Sequence, residues 1–260
     1  MMHGFKRGRI GFCVVMALSV VITILIWLRD RNYPIFVPVI ASALMLALGY
    51  VAARLMGNVL ASSENTRYLG YLHMELDPKK FLSFYKDVPN RVKGENTAAI
   101  CRSYLADGYA ACGQYEAAIA QLSIAPPAEN LAVRGLYAAN LASCHLAMKN
   151  TEAAEDAIRD LTQIIDACRL NKASLAGNLT EMLTLHRQHL ACLQGKAVDT
   201  DVLESAFVRA QYHLRRLELA KVLAMTAIRD GDAAAKQKHL SYLRKNSGLT
   251  VYKKWADVQN

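Results

Sequence analysis

The chain has 260 residues, a formal net charge of +9 and a hydrophobic fraction of 53%. With 14 Gly and 6 Pro it is too poor in chain breakers for collagen or low-complexity disorder. Residues 1–60 hold six Lys/Arg against Asp30 alone, and the rest of the chain holds 25 Lys/Arg against 21 Asp/Glu. Most of the basic excess therefore lies near the N-terminus, and the nearly balanced remainder argues against a nucleic-acid footprint.

Ile10 to Leu28 and Ile35 to Ala53 are each 19 residues without a charge. That is the length a helix needs to cross a bilayer core. Lys6, Arg7 and Arg9 give the first run the basic start of a signal peptide. The run is longer than the usual apolar core of one, and it ends in Trp27-Leu28-Arg29 with no small-x-small cleavage pattern, so it is expected to remain as a span. Only Arg29 to Pro34 separates the two runs, which closes a helical hairpin and leaves both ends on one side. Lys6, Arg7, Arg9, Arg54 and Arg67 outnumber Arg29 and Arg31 of the turn, so the positive-inside bias predicts cytoplasmic termini. Trp27 and Tyr33 are expected at the outer interface, with Tyr50 and Arg54 at the inner one.

Apart from Cys13 and the interfacial Tyr50 the spans hold no ionisable side chain, which disfavours a proton or ion pathway. Ser19 with Thr23, Ala43 with Ala47, and Gly49 with Ala53 are spaced four apart, a pattern that lets helices approach closely. Packing of the two spans on each other is the expected use. Homo-oligomerisation or docking to another membrane protein is the alternative.

Residues 1–57 thus read as a transmembrane hairpin, and residues 58–260 as a soluble all-α domain without alternating strand runs. Asp77-Pro78 is a helix start, with Asp at the N-cap and Pro at the first helical position. Pro89 to Asn96 and Pro126-Pro127 are breaks. Lys149-Asn150, Gln194-Gly195 and Asp230-Gly231 read as short turns between helices. The spacing leaves open whether residues 203–229 form one helix or two.

Arg102, Leu105, Ala106 and Tyr109, followed by Gly113, Tyr115, Ala118 and Leu122, resemble the tetratricopeptide repeat. A second copy has Ala138, Leu141, Ala142 and His145, then Ala154, Ile158 and Leu161; Ala118 to Ala154 is 36 residues. A looser third copy has Ala220, Leu223, Ala224 and Ala227, the turn at Gly231, then Leu240 and Leu243. The resemblance covers residues 97–161 well and 217–245 loosely. The layout, with its Asp77-Pro78-Lys79-Lys80-Phe81 start and Tyr252-Lys253-Lys254-Trp255-Ala256 end, also resembles bacterial membrane proteins with an N-terminal hairpin and a cytoplasmic tetratricopeptide-like domain. Most of that group have no assigned activity. The implied fold is an α-solenoid of antiparallel helix pairs behind a transmembrane hairpin.

By that resemblance, the first helix of each pair lines a concave face. Ile100, Ser103, Asp107 and Ala110 would come from the first copy. Leu136, Ala139, Ser143 and Leu146 would come from the second, and Glu218, Lys221, Met225 and Arg229 from the third. Chaperone-binding members clamp a peptide carboxylate with Lys, Asn and Arg at these places, and the first two copies here lack those residues. The expected ligand is therefore an apolar or helical protein segment. The bland alternative is a shallow, self-covered groove that binds nothing.

Signals for chemistry are weak. Cys101, Cys112, Cys144, Cys168 and Cys192 are dispersed with no C-x-x-C, and read as reduced, buried thiols. His186, His189 and Cys192 are the nearest approach to metal spacing, but a third ligand three residues on is rotated away; they read as polar-face residues and a packed thiol. Glu152, Glu155, Asp156 and Asp160 read as a solvated helix face, and there is no P-loop, G-x-G-x-x-G or G-x-S-x-G. The C-terminal cluster of Lys236, Lys238, Arg244, Lys245, Lys253 and Lys254 reads as a solvated capping helix, with anionic lipid contact as the alternative. No catalytic residue, metal or cofactor is expected. The expectation is a non-enzymatic, membrane-anchored scaffold or adaptor that binds a protein partner at the cytoplasmic face and could self-associate. An accessory subunit of a transporter or secretion complex acting through its hairpin is the first alternative. A cryptic metal site or enzyme around His186 is the second.

Overall fold

The computed structural model describes residues 3–29, 36–169 and 173–259. Among them are twelve α-helices and no strand. The chain divides into two compact units, Met1–Tyr68 and Leu69–Asn260.

The first unit holds α1 (His3–Arg29) and most of α2 (Phe36–His73). Both are long and apolar enough to cross a membrane. α2 does not end where the apolar run does. Gly57 is the weakest helix former between Ala53 and Ser62, and one glycine costs about 1 kcal/mol, so the helix runs through it. The domain break expected at Gly57 thus lies inside a continuous helix. The two helices touch through small residues. Ser19, Gly49 and Ala53 are buried, and a Cβ at Gly49 would collide with the Ser19 side chain. The Trp27 indole N–H donates to Ser42 Oγ at 2.7 Å, and Phe12 meets Tyr50 edge-on at 5.9 Å. Ala43 and Ala47 are exposed, as are Leu18, Leu25, Leu44 and Leu48. Apart from Arg29, the turn expected at residues 29–34, with Tyr33, lies outside the described residues.

The second unit opens on the end of α2, with Tyr71 and Leu72 buried. α3 (Pro78–Tyr85) starts as its sequence dictates: the Asp77 carboxylate accepts from the Lys80 N–H at 2.9 Å and Pro78 takes the first turn. α4 (Glu95–Ala111) and α5 (Tyr115–Leu122) form an antiparallel pair around the Gly113 turn, where φ is +79°. Ala106 and Ala118 are fully buried between the pair and α6, in a cluster with Val133 and Tyr137. α6 (Leu131–Ala147) packs on α7 (Thr151–Arg169), and α7 packs on α8 (Ala173–Leu193) around Ile158, Leu161, Ile165 and Leu179. Residues 203–229 form two helices, α9 (Thr200–Arg209) and α10 (His213–Asp230). Leu203 and Ala206 of α9, Leu185 of α8, and Leu219 and Leu223 of α10 share one core. Gly231, at φ +74°, ends α10, and α11 (Ala233–Asn246) returns along it.

Two further relationships organise this unit. α4, α6, α8 and α10 pack one upon the next, each joined to a neighbour on its other side. The short α12 (Val251–Asp257) packs on α10 and α11, while the chain leading into it reaches back to the start of the unit. There the Leu249 N–H donates to the Leu76 carbonyl at 3.0 Å, and Val251 lies against Gly113. His213 Nδ1 sits 2.9 Å from the Met74 carbonyl in the same region.

Candidate functional site

Because α4, α6, α8 and α10 stack, their facing sides, with Tyr252 of α12, bound a chamber of about 70 Å³. Its lining is charged. α10 supplies Arg215, Glu218 and Lys221, three apart and hence along one side of that helix. α4 supplies Asp107, α6 supplies Asn140 and Ser143, and α8 supplies His186 and His189. Tyr115 and Tyr252 complete the wall, the second from α12. The remaining wall is small or apolar: Ala106, Ala110, Cys144, Leu185 and Val222 among others.

The charges are not all compensated. The Arg215 guanidinium donates to Glu218 Oε2 at 2.9 Å, which neutralises that pair. Asp107 lies beside the Asn140 amide but, among the described residues, has no basic partner. Lys221 has no acidic partner within contact either; its ammonium lies 5.7 Å from the centre of the Trp255 ring. Burial pushes the Asp107 carboxyl well above the usual carboxylate range, and the nearby Glu218 charge adds to this. Burial likewise pulls Lys221 down to about 8. His186 and His189 are pulled down to about 3, chiefly by burial and further by Arg215 and Lys221 respectively. Both histidines are thus neutral at pH 7. Each keeps a buried Nε2 with no hydrogen-bond partner, a rare condition for a polar atom in a folded core.

Two open clefts adjoin the chamber. One, of about 320 Å³, shares Tyr115, His189, Lys221 and Tyr252 with it and adds Lys149, Met225 and Trp255. The other, of about 700 Å³, lies between α8, α9 and α10 and shares Met182, Leu185 and Arg215 with the chamber. Leu203, Ala206 and Leu219 line it, and exposed Val202 and Tyr212 stand beside them.

Against this geometry the residues expected on an open concave face separate into groups. Asp107, Ser143 and Lys221 do line one common space, together with Ala110 and Glu218. Met225 lines the smaller cleft. Ser103 and Ala139 are buried and present nothing to a partner: the Asn140 amide holds the Ser103 hydroxyl and carbonyl at 3.1 Å, and Ala139 is a core residue beside Ile158 and Leu179. Leu146 is likewise buried, and Ile100 is half-buried against Ala118 and Val133. Arg229 is exposed and held by Asp230 and the Lys196 carbonyl. The residues expected along an apolar groove thus line, in part, a charged chamber to which α12 contributes Tyr252. The physical reason is that α6 has neighbours on nearly all sides, so small residues expected to face outward meet other helices instead.

His186 and His189 are also corrected: they are buried chamber residues, not members of a polar outer face. Arg215, Asn140 and Tyr252 went unrecognised as site residues. The available signal was the Arg215, Glu218, Lys221 spacing on a helix otherwise rich in Leu and Ala. The cysteines are free thiols; Cys101, Cys144, Cys168 and Cys192 are buried, and burial raises Cys144 to about 12. Among the described residues no three His, Cys, Asp or Glu side chains converge as a metal set. Of the C-terminal basic cluster, Lys238 is paired with Glu204, and Arg244 holds the Ala256 carbonyl and Asp257.

No family model matches the chain, no curated protein matches it, and no solved structure matches it.

Proposed function

We propose that the protein is a membrane-anchored adaptor of tetratricopeptide-like construction, acting by binding rather than by catalysis at the cytoplasmic face. The observation that carries this reading is the order of packing. Antiparallel pairs α4/α5, α6/α7 and α10/α11 follow two helices apolar enough to cross a bilayer, and α4, α6, α8 and α10 stack in succession. Repeats of this kind give extended surfaces used for partner recognition. The basic flanks Lys6, Arg7, Arg9, Arg54 and Arg67 favour cytoplasmic termini.

We place the protein partner on the cleft of about 700 Å³ between α8, α9 and α10, which is far roomier than the chamber of about 70 Å³. That cleft is open, its floor is apolar, and Glu181, Arg209 and Gln211 give it a polar rim. An apolar core with a polar rim is the usual anatomy of a protein interface. Crosslinking in intact cells through a photoreactive residue in place of Tyr212 tests the reading. Capture of a distinct protein partner from this position, lost on Ala206→Arg, supports it. Capture that persists in that variant but disappears when residues 10–53 are replaced by an unrelated hairpin favours an accessory membrane subunit acting through its spans.

A further inference from the structure

We propose that the charged chamber of the second unit is a binding site for a small zwitterionic amino acid, no larger than serine. The proposal goes beyond the adaptor reading and does not depend on it.

Three observations carry it. The first is the pair of opposite charges, without ion-pair partners among the described residues, that line one common pocket. Arg215 and Glu218 satisfy each other at 2.9 Å, which leaves Asp107 on α4 and Lys221 on α10. Both are half-buried; a half-buried charge without a counterion is still costly, and two of opposite sign left unjoined hold a gap that a dipolar guest closes. The second is the pair of unpartnered Nε2 atoms on His186 and His189, whose side chains are 4% and 9% exposed and line the same space. His189 and Lys221 line both the chamber and the adjoining cleft of about 320 Å³, and so stand on that side, whereas Asp107 and Asn140 line the chamber alone. The third is size and access. At about 70 Å³ the chamber holds a few waters or a molecule of similar bulk, and is far below the 300–1,000 Å³ of drug-sized pockets. The adjoining cleft with Lys149 and Trp255 shares Lys221 and His189 with it, and so provides an approach.

In the bound arrangement, the guest's ammonium group donates to Asp107. Its carboxylate accepts from Lys221 and from a histidine Nε2–H. Ser143 and Tyr252 are placed to hold what lies between. Neither an amine nor a carboxylate alone compensates both charges, and this gives the site its specificity.

Calorimetry on the full chain in detergent micelles, with glycine, L-alanine and L-serine as probes and acetate and ethylamine as controls, tests the inference. At least one of the three amino acids should bind saturably, at least about tenfold more tightly than either control. Lys221→Met and Asp107→Asn should each weaken that binding by about tenfold or more while keeping the helical circular dichroism. If a variant fails to fold, the comparison of amino acids with acetate and ethylamine on the natural chain still decides. No saturable binding of any of the three overturns the proposal. So does acetate or ethylamine binding as tightly as the amino acids, or unchanged affinity in both folded variants.

Discussion

The backbone N–H of Leu249 donates to the carbonyl of Leu76 at 3.0 Å, joining the approach to the last helix with the start of the folded unit. Gly248 makes this contact possible. Its φ is +53°, and a Cβ there would stand 2.8 Å from both the Cβ and the carbonyl oxygen of Leu76. Gly248→Val therefore meets both backbone strain and a clash against atoms that cannot swing away. A loss of about 2–4 kcal/mol in unfolding free energy is expected. Denaturant unfolding of the natural chain and the variant measures it, and equal midpoints would remove this joint from the account.

The contact between α4, α5 and α6 gives a second prediction. Ala118 is fully buried beside Ala106 and Tyr137. Ala118→Leu adds three carbons where no space exists, and should cost about 1–3 kcal/mol. An unchanged melting temperature would mean that these helices are not packed as described.

Within the hairpin, Gly49 meets Ser19, and a larger residue has no room there. Gly49→Leu should separate α1 from α2, whereas Ala43→Leu, at an exposed position, should not. Trp27 fluorescence, read in a chain carrying Trp255→Phe, reports on this, because the Trp27 indole is bonded to Ser42 across the same interface. A shifted emission in the Gly49 variant alone is the expected result.

The buried histidines set the acid limb of stability. Their folded values of about 3 lie below the ordinary 6.5, so the unfolded chain binds more protons between those limits. Stability contributed by keeping them neutral is present above pH 6.5 and is lost as pH falls toward 3. Asp107 acts in the opposite sense, because its raised value makes the folded chain the better proton binder above pH 3.8. Glu218 with Arg215, Lys221, Tyr115, Tyr252 and Cys144 are the other titratable groups around the same space. His186→Leu combined with His189→Leu should flatten the fall of melting temperature between pH 6.5 and pH 4.5. An identical slope would place the histidines in contact with water.

Local rules carried part of this structure into the sequence, and only part. Asp77 with Pro78, Gly113 and Gly231 announce helix ends because capping and positive φ are decided within a few residues. Ala106 and Ala118 announce a close helix pair because only small side chains fit there. The break between α9 and α10 at residues 210–212 contains neither Gly nor Pro, and so gave no such sign. The joint between Leu76 and Leu249 is set by the summed rotation of every intervening helix pair, which no local pattern encodes. For the same reason Ser103 and Ala139 were expected outside and are inside. Helical periodicity locates an apolar side but does not say how many neighbours surround a helix. The chamber was legible only as single charged residues; that Asp107, His186 and Lys221 share one space depends on the same long-range closure.

The adaptor account rests on a division of labour, with the hairpin anchoring and the helical unit recognising. Quantitative crosslinking in intact cells, from a photoreactive residue at position 212, tests it most directly when made on three chains: the natural one, an Ala206→Arg variant, and one whose residues 10–53 are exchanged for an unrelated hairpin. The account predicts the same captured protein from the natural and hairpin-exchanged chains, and its loss from the Ala206 variant while that variant stays folded and membrane-bound. Capture that follows the hairpin and ignores the Ala206 change would contradict it.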